Sequence, residues 1–194
     1  MGHGHQPRRS RGGLQHDVRQ RGEPRVSLEE GCHESYSLAF GINSPGHVVG
    51  ESDLQAVLWK KGAITHLGTL GGSHSQATGI NPARQVVGFS SLAGGNEDVM
   101  HAFLWESGVM TDLGTLGGDF SQAAGINPEG RVVGHSRTEN GEVHAFLWKK
   151  GAMIDLGTLG GTQSEAAAIN PHGHVVGNSL TSTGAGHATL WRRR

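Results

Sequence analysis

Apolar and polar residues alternate in short runs along this chain, and glycine, asparagine and proline separate the runs. From His144 to Trp148, an extended backbone puts His144, Phe146 and Trp148 on one side and Ala145 and Leu147 on the other. Apolar residues on both sides predict a strand covered on both faces. Arg131 to Ser136 reads as a second strand, because its two adjacent valines favour a pleated, half-buried surface. Ser121 to Asn127 precedes it as a further strand, joined through Asn127-Pro128-Glu129-Gly130, whose residue types suit a type I turn. Lys149-Lys150-Gly151 predicts a tight hairpin into a last strand, Ala152 to Leu156. Four short strands in succession make an all-β unit.

The unit recurs. Ala-Val-Leu-Trp at 56–59 returns as Ala-Phe-Leu-Trp at 102–105 and 145–148 and as Ala-Thr-Leu-Trp at 188–191. Leu-Gly-Thr-Leu-Gly-Gly is identical at 67–72, 113–118 and 156–161, and Val-Val-Gly occurs at 48–50, 86–88, 132–134 and 175–177. Asn43, Asn81, Asn127 and Asn170 each close a Gly-Ile-Asn or Ala-Ile-Asn triplet. The tryptophans Trp59, Trp105, Trp148 and Trp191 are spaced by 46, 43 and 43 residues, the size of a four-stranded propeller blade. The expected fold is therefore all-β and β-propeller-like, with units at about 36–70, 75–116, 120–159 and 163–191 inside a domain spanning 23–191. The Gly-Thr-Leu-Gly-Gly strings are expected at the crossovers between units. The last unit lacks a fourth strand. Pro24 to Leu28 is a candidate to supply it and close a ring of four; an incomplete array is the alternative, and the pattern leaves both open.

Composition narrows the class. Thirty-three glycines in 194 residues argue against a helix bundle, where interior glycine costs about 1 kcal/mol relative to alanine. No apolar run approaches the roughly 18 residues of a membrane-spanning helix. Nine of the 16 basic residues lie at the two ends, leaving residues 26–191 with seven basic and 15 acidic side chains. An acidic body is a poor match for nucleic acid, which needs a folded basic face. Residues 1–22 read as a disordered basic arm without the apolar stretch of a signal peptide, and 192–194 as a basic tail.

The ordered recurrence of His-Ala-Phe-Leu-Trp, Asp-Leu-Gly-Thr-Leu-Gly-Gly and Gly-Ile-Asn-Pro-x-Gly resembles the HAF repeat family, named for the triplet seen here at His101-Ala102-Phe103 and His144-Ala145-Phe146. The likeness covers roughly residues 36–191. It implies a bacterial, extracellular or envelope-associated repeat protein with no assigned activity or catalytic residues. The first unit departs from the pattern, with Gln55 and Val57 in the His and Phe positions and His66 where Asp112 and Asp155 stand later. With no export signal visible, a cytoplasmic location stays open.

Candidate chemistry is sparse. His101, His144 and His187 share one repeat position and Asp112 and Asp155 another, so they are a candidate ring of metal ligands or acid–base groups. Repetition favours a structural role instead, because a catalytic centre needs unlike groups converging once. The four tryptophans are candidates for sugar stacking, but their fixed place at strand ends favours packing between units. His172-Gly173-His174 and His3-Gly4-His5 lack a third metal ligand, and Cys32 has no partner histidine by spacing. No nucleophile elbow, phosphate loop, dinucleotide fingerprint or zinc-protease helix is present. No catalytic residue, metal ligand or cofactor is assigned. The sequence thus predicts a non-catalytic scaffold that binds a protein or glycan through four variable loops, Glu51 to Gln55, Ser90 to Met100, Ser136 to Val143 and Ser179 to Gly186. It is expected to be a monomer or an edge-paired oligomer. A propeller hydrolase or lyase and a truncated array without independent activity are the alternatives.

Overall fold

The computed structural model describes residues 36–94 and 99–192. The basic arm, Pro24 to Leu28, Cys32, His3-Gly4-His5 and the last two arginines lie outside the described residues. Fifteen strands and no helix make up this part of the chain. Unit 1 is a meander of β1 (Ser37–Ile42), β2 (Val48–Ser52), β3 (Gln55–Lys60) and β4 (Ala63–Gly68). Unit 2 repeats it with β5 (Gly71–Ile80), β6 (Val86–Leu92), β7 (Met100–Glu106) and β8 (Val109–Asp112), and unit 3 with β9 (Gly117–Ile126), β10 (Val132–Thr138), β11 (Val143–Lys149) and β12 (Ala152–Asp155). Unit 4 has three strands, β13 (Gly160–Ile169), β14 (Val175–Thr181) and β15 (Gly186–Trp191).

Neighbouring strands within every unit are antiparallel. Single parallel bridges, Met100 with Phe120 and Val143 with Gln163, join units 2, 3 and 4 into one continuous sheet, while unit 1 forms its own. The first strand of each following unit lies across the first three strands of the unit before it. Among the described residues no ladder joins unit 1 to unit 4, so the described strands form an open run.

The two adjacent valines explain how the run is held. In an extended strand they point to opposite faces, and each face meets a different unit. Val49, Ala56, Leu58 and Leu67 of unit 1 pack against Ala77, Val86, Phe103 and Trp105 of unit 2. Val87, Ala102 and Leu113 of unit 2 meet Ala123, Val132, Phe146 and Trp148 of unit 3 in the same way. Val133, Ala145 and Leu156 of unit 3 then meet Ala166, Val175 and Trp191 of unit 4. The protein therefore has a series of cores, one between each pair of sheets. Full burial of Phe103 and Phe146 contributes roughly 2–3 kcal/mol each.

Two features differ from the sequence expectation or sharpen it. The paired glycines are not confined to the crossover: they open β5, β9 and β13, so these strands begin about four residues early. At Gly118 a Cβ would stand 2.6 Å from that of Arg137 on β10, and only a bare backbone lets the two strands pair this far. The glycine of Val-Val-Gly is more constrained still. A Cβ on Gly134 would collide with the Gln122 carbonyl and stand 2.9 Å from the Ala123 Cα, and Gly50, Gly88 and Gly177 are in equivalent positions. Gly134→Ala is expected to destabilise the protein by about 3 kcal/mol, because the obstacle is backbone. Gly141→Ala, at an open turn position with φ +81°, is expected to cost only about 1 kcal/mol. Denaturant unfolding of the two variants checks the contrast; equal losses would show that the close approach is not limiting.

Candidate functional site

The asparagines that end the first strands form a ladder from unit to unit. In each turn the asparagine Oδ1 accepts the backbone N–H four residues on, from His47, Gln85, Arg131 and His174 at 2.9 to 3.0 Å. This fixes the side chain and aims its amide at the next sheet. Asn43 Nδ2 donates to the Asn81 carbonyl at 3.0 Å, Asn81 to that of Asn127 at 3.1 Å, and Asn127 to that of Asn170 at 3.2 Å. Asn81 and Asn127 are almost fully buried, so these bonds satisfy groups that water cannot reach.

Two serine positions extend the same logic. Ser75, Ser121 and Ser164 each accept a backbone N–H from the preceding unit's third strand, at Ala56, Ala102 and Ala145, and each donates to the glycine carbonyl at 68, 114 or 157. Ser90, Ser136 and Ser179 accept the N–H of Leu70, Leu116 and Leu159 in the crossovers. Sequence reasoning passed over both sets. Their signal was present as Ser-x-Ala ahead of the asparagine triplet and as Val-Val-Gly-x-Ser.

The repeated histidines and aspartates meet within their own units. His101 Nδ1–H donates to Asp112 Oδ2 at 2.8 Å, and His144 Nδ1–H to Asp155 Oδ2 at 2.7 Å. The other carboxylate oxygen accepts the N–H of Gly114 or Gly157, both at 2.7 Å, which pins the start of each crossover. The opposite nitrogen of His144 is buried and makes no hydrogen bond; the Glu142 carboxylate stands 3.3 Å from it but out of line. A nucleophilic dyad needs a hydroxyl or thiol there. His187 is exposed, and among the described residues unit 4 has no fourth strand to bring an aspartate to it. In unit 1 Gln55 and His66 occupy the two positions.

Three of the four tryptophans are in the packing between the described units. Trp105, Trp148 and Trp191 border the three cores, and Trp191 Nε1–H donates to the Leu156 carbonyl of unit 3 at 3.0 Å. Trp59 is 2% exposed, with its indole N–H unpaired. His172 and His174 stand with ring centroids 6.3 Å apart, and among the described residues no group of three or more His, Cys, Asp or Glu is placed to hold a metal ion. A cleft of about 100 Å³ opens beside Leu58, Arg84, Trp105 and Glu106, well below the roughly 300 Å³ of a small-molecule site.

Where the units differ from one another, polar residues bridge the seam. In unit 1 the residue after Val-Val-Gly, Glu51, reaches across to the next unit's first strand. Gln76 Nε2 donates to Glu51 Oε2 at 2.6 Å, and His74 stands 3.6 Å from the other oxygen of the same carboxylate. In unit 3 that position is His135, tilted against the Phe120 ring of its own first strand with centroids 5.7 Å apart. Burial holds the His135 imidazole below the ordinary histidine range, and the Glu165 carboxylate of unit 4 opposes this in part. The variable loops of units 1 to 4 all join a second strand to a third, so the repeat sets them along one edge. The invariant crossovers lie at their base: Leu70 bridges to Leu92, Leu116 to Thr138 and Leu159 to Thr181.

Comparison with protein-family models, with curated proteins and with solved structures finds no match to the chain.

Two outcomes follow from this geometry. Asn127→Ala removes a buried inter-unit bond and a turn bond and is expected to cost roughly 3 kcal/mol, whereas Asn170→Ala, whose amide reaches no further unit among the described residues, loses the turn bond and costs about 1 kcal/mol. Calorimetric melting temperatures of the two variants separate a ladder from four independent turns. Because the His135 pKa is lowered in the fold, the unfolded chain takes up its proton first, and stability falls as pH drops through the ordinary value of about 6.5. His135→Phe, which copies Phe89 of unit 2, is expected to flatten that slope in urea titrations at a series of pH values.

Proposed function

We propose that this chain is a non-catalytic binding scaffold, a propeller-like run of near-identical sheets that presents variable loops to a protein or glycan outside the cell or at its envelope. The observation that carries the reading is the division between constant and variable sequence. Nearly everything that repeats is consumed in holding sheet to sheet, while differences in length and charge gather in the hairpins between second and third strands. Those hairpins stand on a stiff base. In the third, Thr138 N–H donates to the Glu142 carbonyl at 2.8 Å and Gly141 N–H to the Thr138 carbonyl at 2.9 Å, beside the bridge to Leu116. Loops held this way lose little freedom on binding, which favours recognition.

The His–Asp pairs support the non-catalytic half of the reading, since each carboxylate is also occupied by a backbone N–H and the free nitrogen of His144 is buried without a hydrogen-bond partner. The extracellular setting and the HAF assignment rest on the sequence resemblance alone.

A glycan array and a secreted-protein fraction, each probed with immobilised full chain, test the reading. Capture is expected to disappear when all four hairpins, that of unit 3 included, are replaced by a two-residue Asn-Gly turn. Capture that survives this exchange, or turnover of a captured glycan, would remove the proposal.

A further inference from the structure

The charge of this chain is divided between the two ends of its strands. The turn after each first strand and the hairpin after each third strand lie at one end, and the variable loops and crossovers lie at the other. Unit 1 brings Lys60 and Lys61 to the turn end, and unit 2 brings Arg84. Arg131, Lys149 and Lys150 of unit 3 and Arg192 after the last strand of unit 4 join them. Glu106 and Glu129 are the acidic residues at that end among the described ones. The loop end reverses the balance. Among the described residues it has Arg137 as its one lysine or arginine against seven carboxylates, from Glu51 and Asp53 in unit 1 to Asp155 in unit 3. The net acidity of the body therefore conceals a basic face.

These cations share one surface across the seams. The His47 imidazole is held below the ordinary histidine range, first by lost hydration and then by the positive charges of Lys60, Arg84 and Lys61, so units 1 and 2 gather their cations around one point. Arg131 Nη1 lies against Gly173 of the unit 4 turn, where only a bare Cα leaves room, and carries the face across the last seam. The hairpin tips add a second observation. Lys61 and Lys150 open two-residue hairpins with φ of +50° and +52°, each followed by a glycine that also has positive φ. Asparagine or glycine is favoured at that position, so lysine is twice held in a conformation that suits it poorly. Strain that persists at exposed tips, where no core requires it, is accounted for by a use of the charge.

We propose that the turn end docks on a bilayer surface rich in anionic phospholipid, with the variable loops facing away from it. Clusters of Lys and Arg of this size are drawn to such headgroups. The turns after the first strands share one hydrogen-bond pattern, the hairpins of units 1 to 3 share one length, and the asparagine ladder sets the turns side by side. The cations therefore form a level row, which suits an extended charged plane. A nucleic-acid duplex is read instead by an element that enters a groove. In unit 2 the hairpin tip is Ser107-Gly108, and Val109 beside it is 64% exposed, an apolar contact for the boundary between headgroups and acyl chains. The same surface repels the acidic loop end, which fixes the orientation. The inference rests on charge placement and is independent of what the loops bind.

Co-sedimentation of the full chain with vesicles of phosphatidylcholine alone, or of phosphatidylcholine and phosphatidylglycerol in equal amounts, tests this. Binding is expected for the anionic vesicles only, and is expected to be lost in concentrated salt. Lys61→Gln and Lys150→Gln are each expected to weaken it about five-fold. His66→Asp changes the charge by the same single unit at the loop end, where it copies Asp112 and Asp155, and is expected to leave binding unchanged. All three positions are exposed, and retention of the strand signal in circular dichroism confirms that each variant folds. The arginines of residues 1–25 are common to every variant, so the ratios report the turn end. A chain that ignores anionic vesicles would overturn the proposal, as would equal losses from the lysine and histidine changes. A lysine-dependent complex with duplex DNA in place of vesicles would do the same, as would lysine-dependent self-association that vesicles do not displace, because a different anion then takes the turn end.

Discussion

The fold depends on sheets that are apolar on both faces, with nothing to cover them except more of the same. A lone four-stranded meander with adjacent valines leaves one of every pair in water, whichever face it buries. Stacking resolves this at each internal position, and the cost of an uncovered sheet is what ties the units together. Glycine answers part of this arrangement. Where the first strands of stacked units come close the backbone is bare, as at Gly41, where a Cβ would stand 3.3 Å from the Gly79 Cα; within a unit the bulged pair needs the same, as Gly134 does against the Gln122 carbonyl.

Burying sheets face to face removes their backbone edges and crossovers from water, and the hydrogen-bond ladders answer that loss. Asn81 and Asn127 lie where the first strands crowd together, and each satisfies its own turn and its neighbour's carbonyl at once. The serines do the same for the amides that start the third strands. These bonds have direction, running from amide to carbonyl along the run, which makes one end of the array a donor and the other an acceptor. Hydrophobic burial alone would leave the order of units unspecified; the ladders give the stack a polarity.

The unit length, the four-strand meander and the turn at Asn127-Pro128-Glu129-Gly130 were legible in the sequence because they follow from local spacing and turn chemistry. Strand starts were less so: the paired glycines read as a crossover, and only contact with Arg137 shows why they extend β9. Recurrence marked His101 and Asp112 as repeat positions without saying that they bond each other, which depends on the register that sets Phe103 opposite Asp112. The serine ladders escaped notice for a related reason. A small polar residue in a strand gives no sign of whether it faces water or another sheet. Ring closure was beyond the pattern altogether, since it depends on the rotation accumulated over several interfaces, and no local residue encodes that sum.

Constancy and variation are divided physically as well as by sequence. A change at Asn127 or Ser121 disturbs two units together, and one at Gly134 forces apart two paired strands of one unit; each position holds one residue type in every unit. A change at Glu139 or Asn140 touches only a hairpin tip whose base is already fixed by the Thr138 turn and the Leu116 bridge. Between these extremes is the seam residue after Val-Val-Gly, which is Glu51, Phe89, His135 and Asn178 in successive units. Glu51 takes Gln76 of the next unit as partner, whereas Phe89 and His135 meet the His74 and Phe120 rings of their own units, so this position gives otherwise interchangeable sheets separate identities. Such marking opposes slippage of one unit into the place of another, a hazard for any chain built from near-copies, at positions that the ladders leave unconstrained.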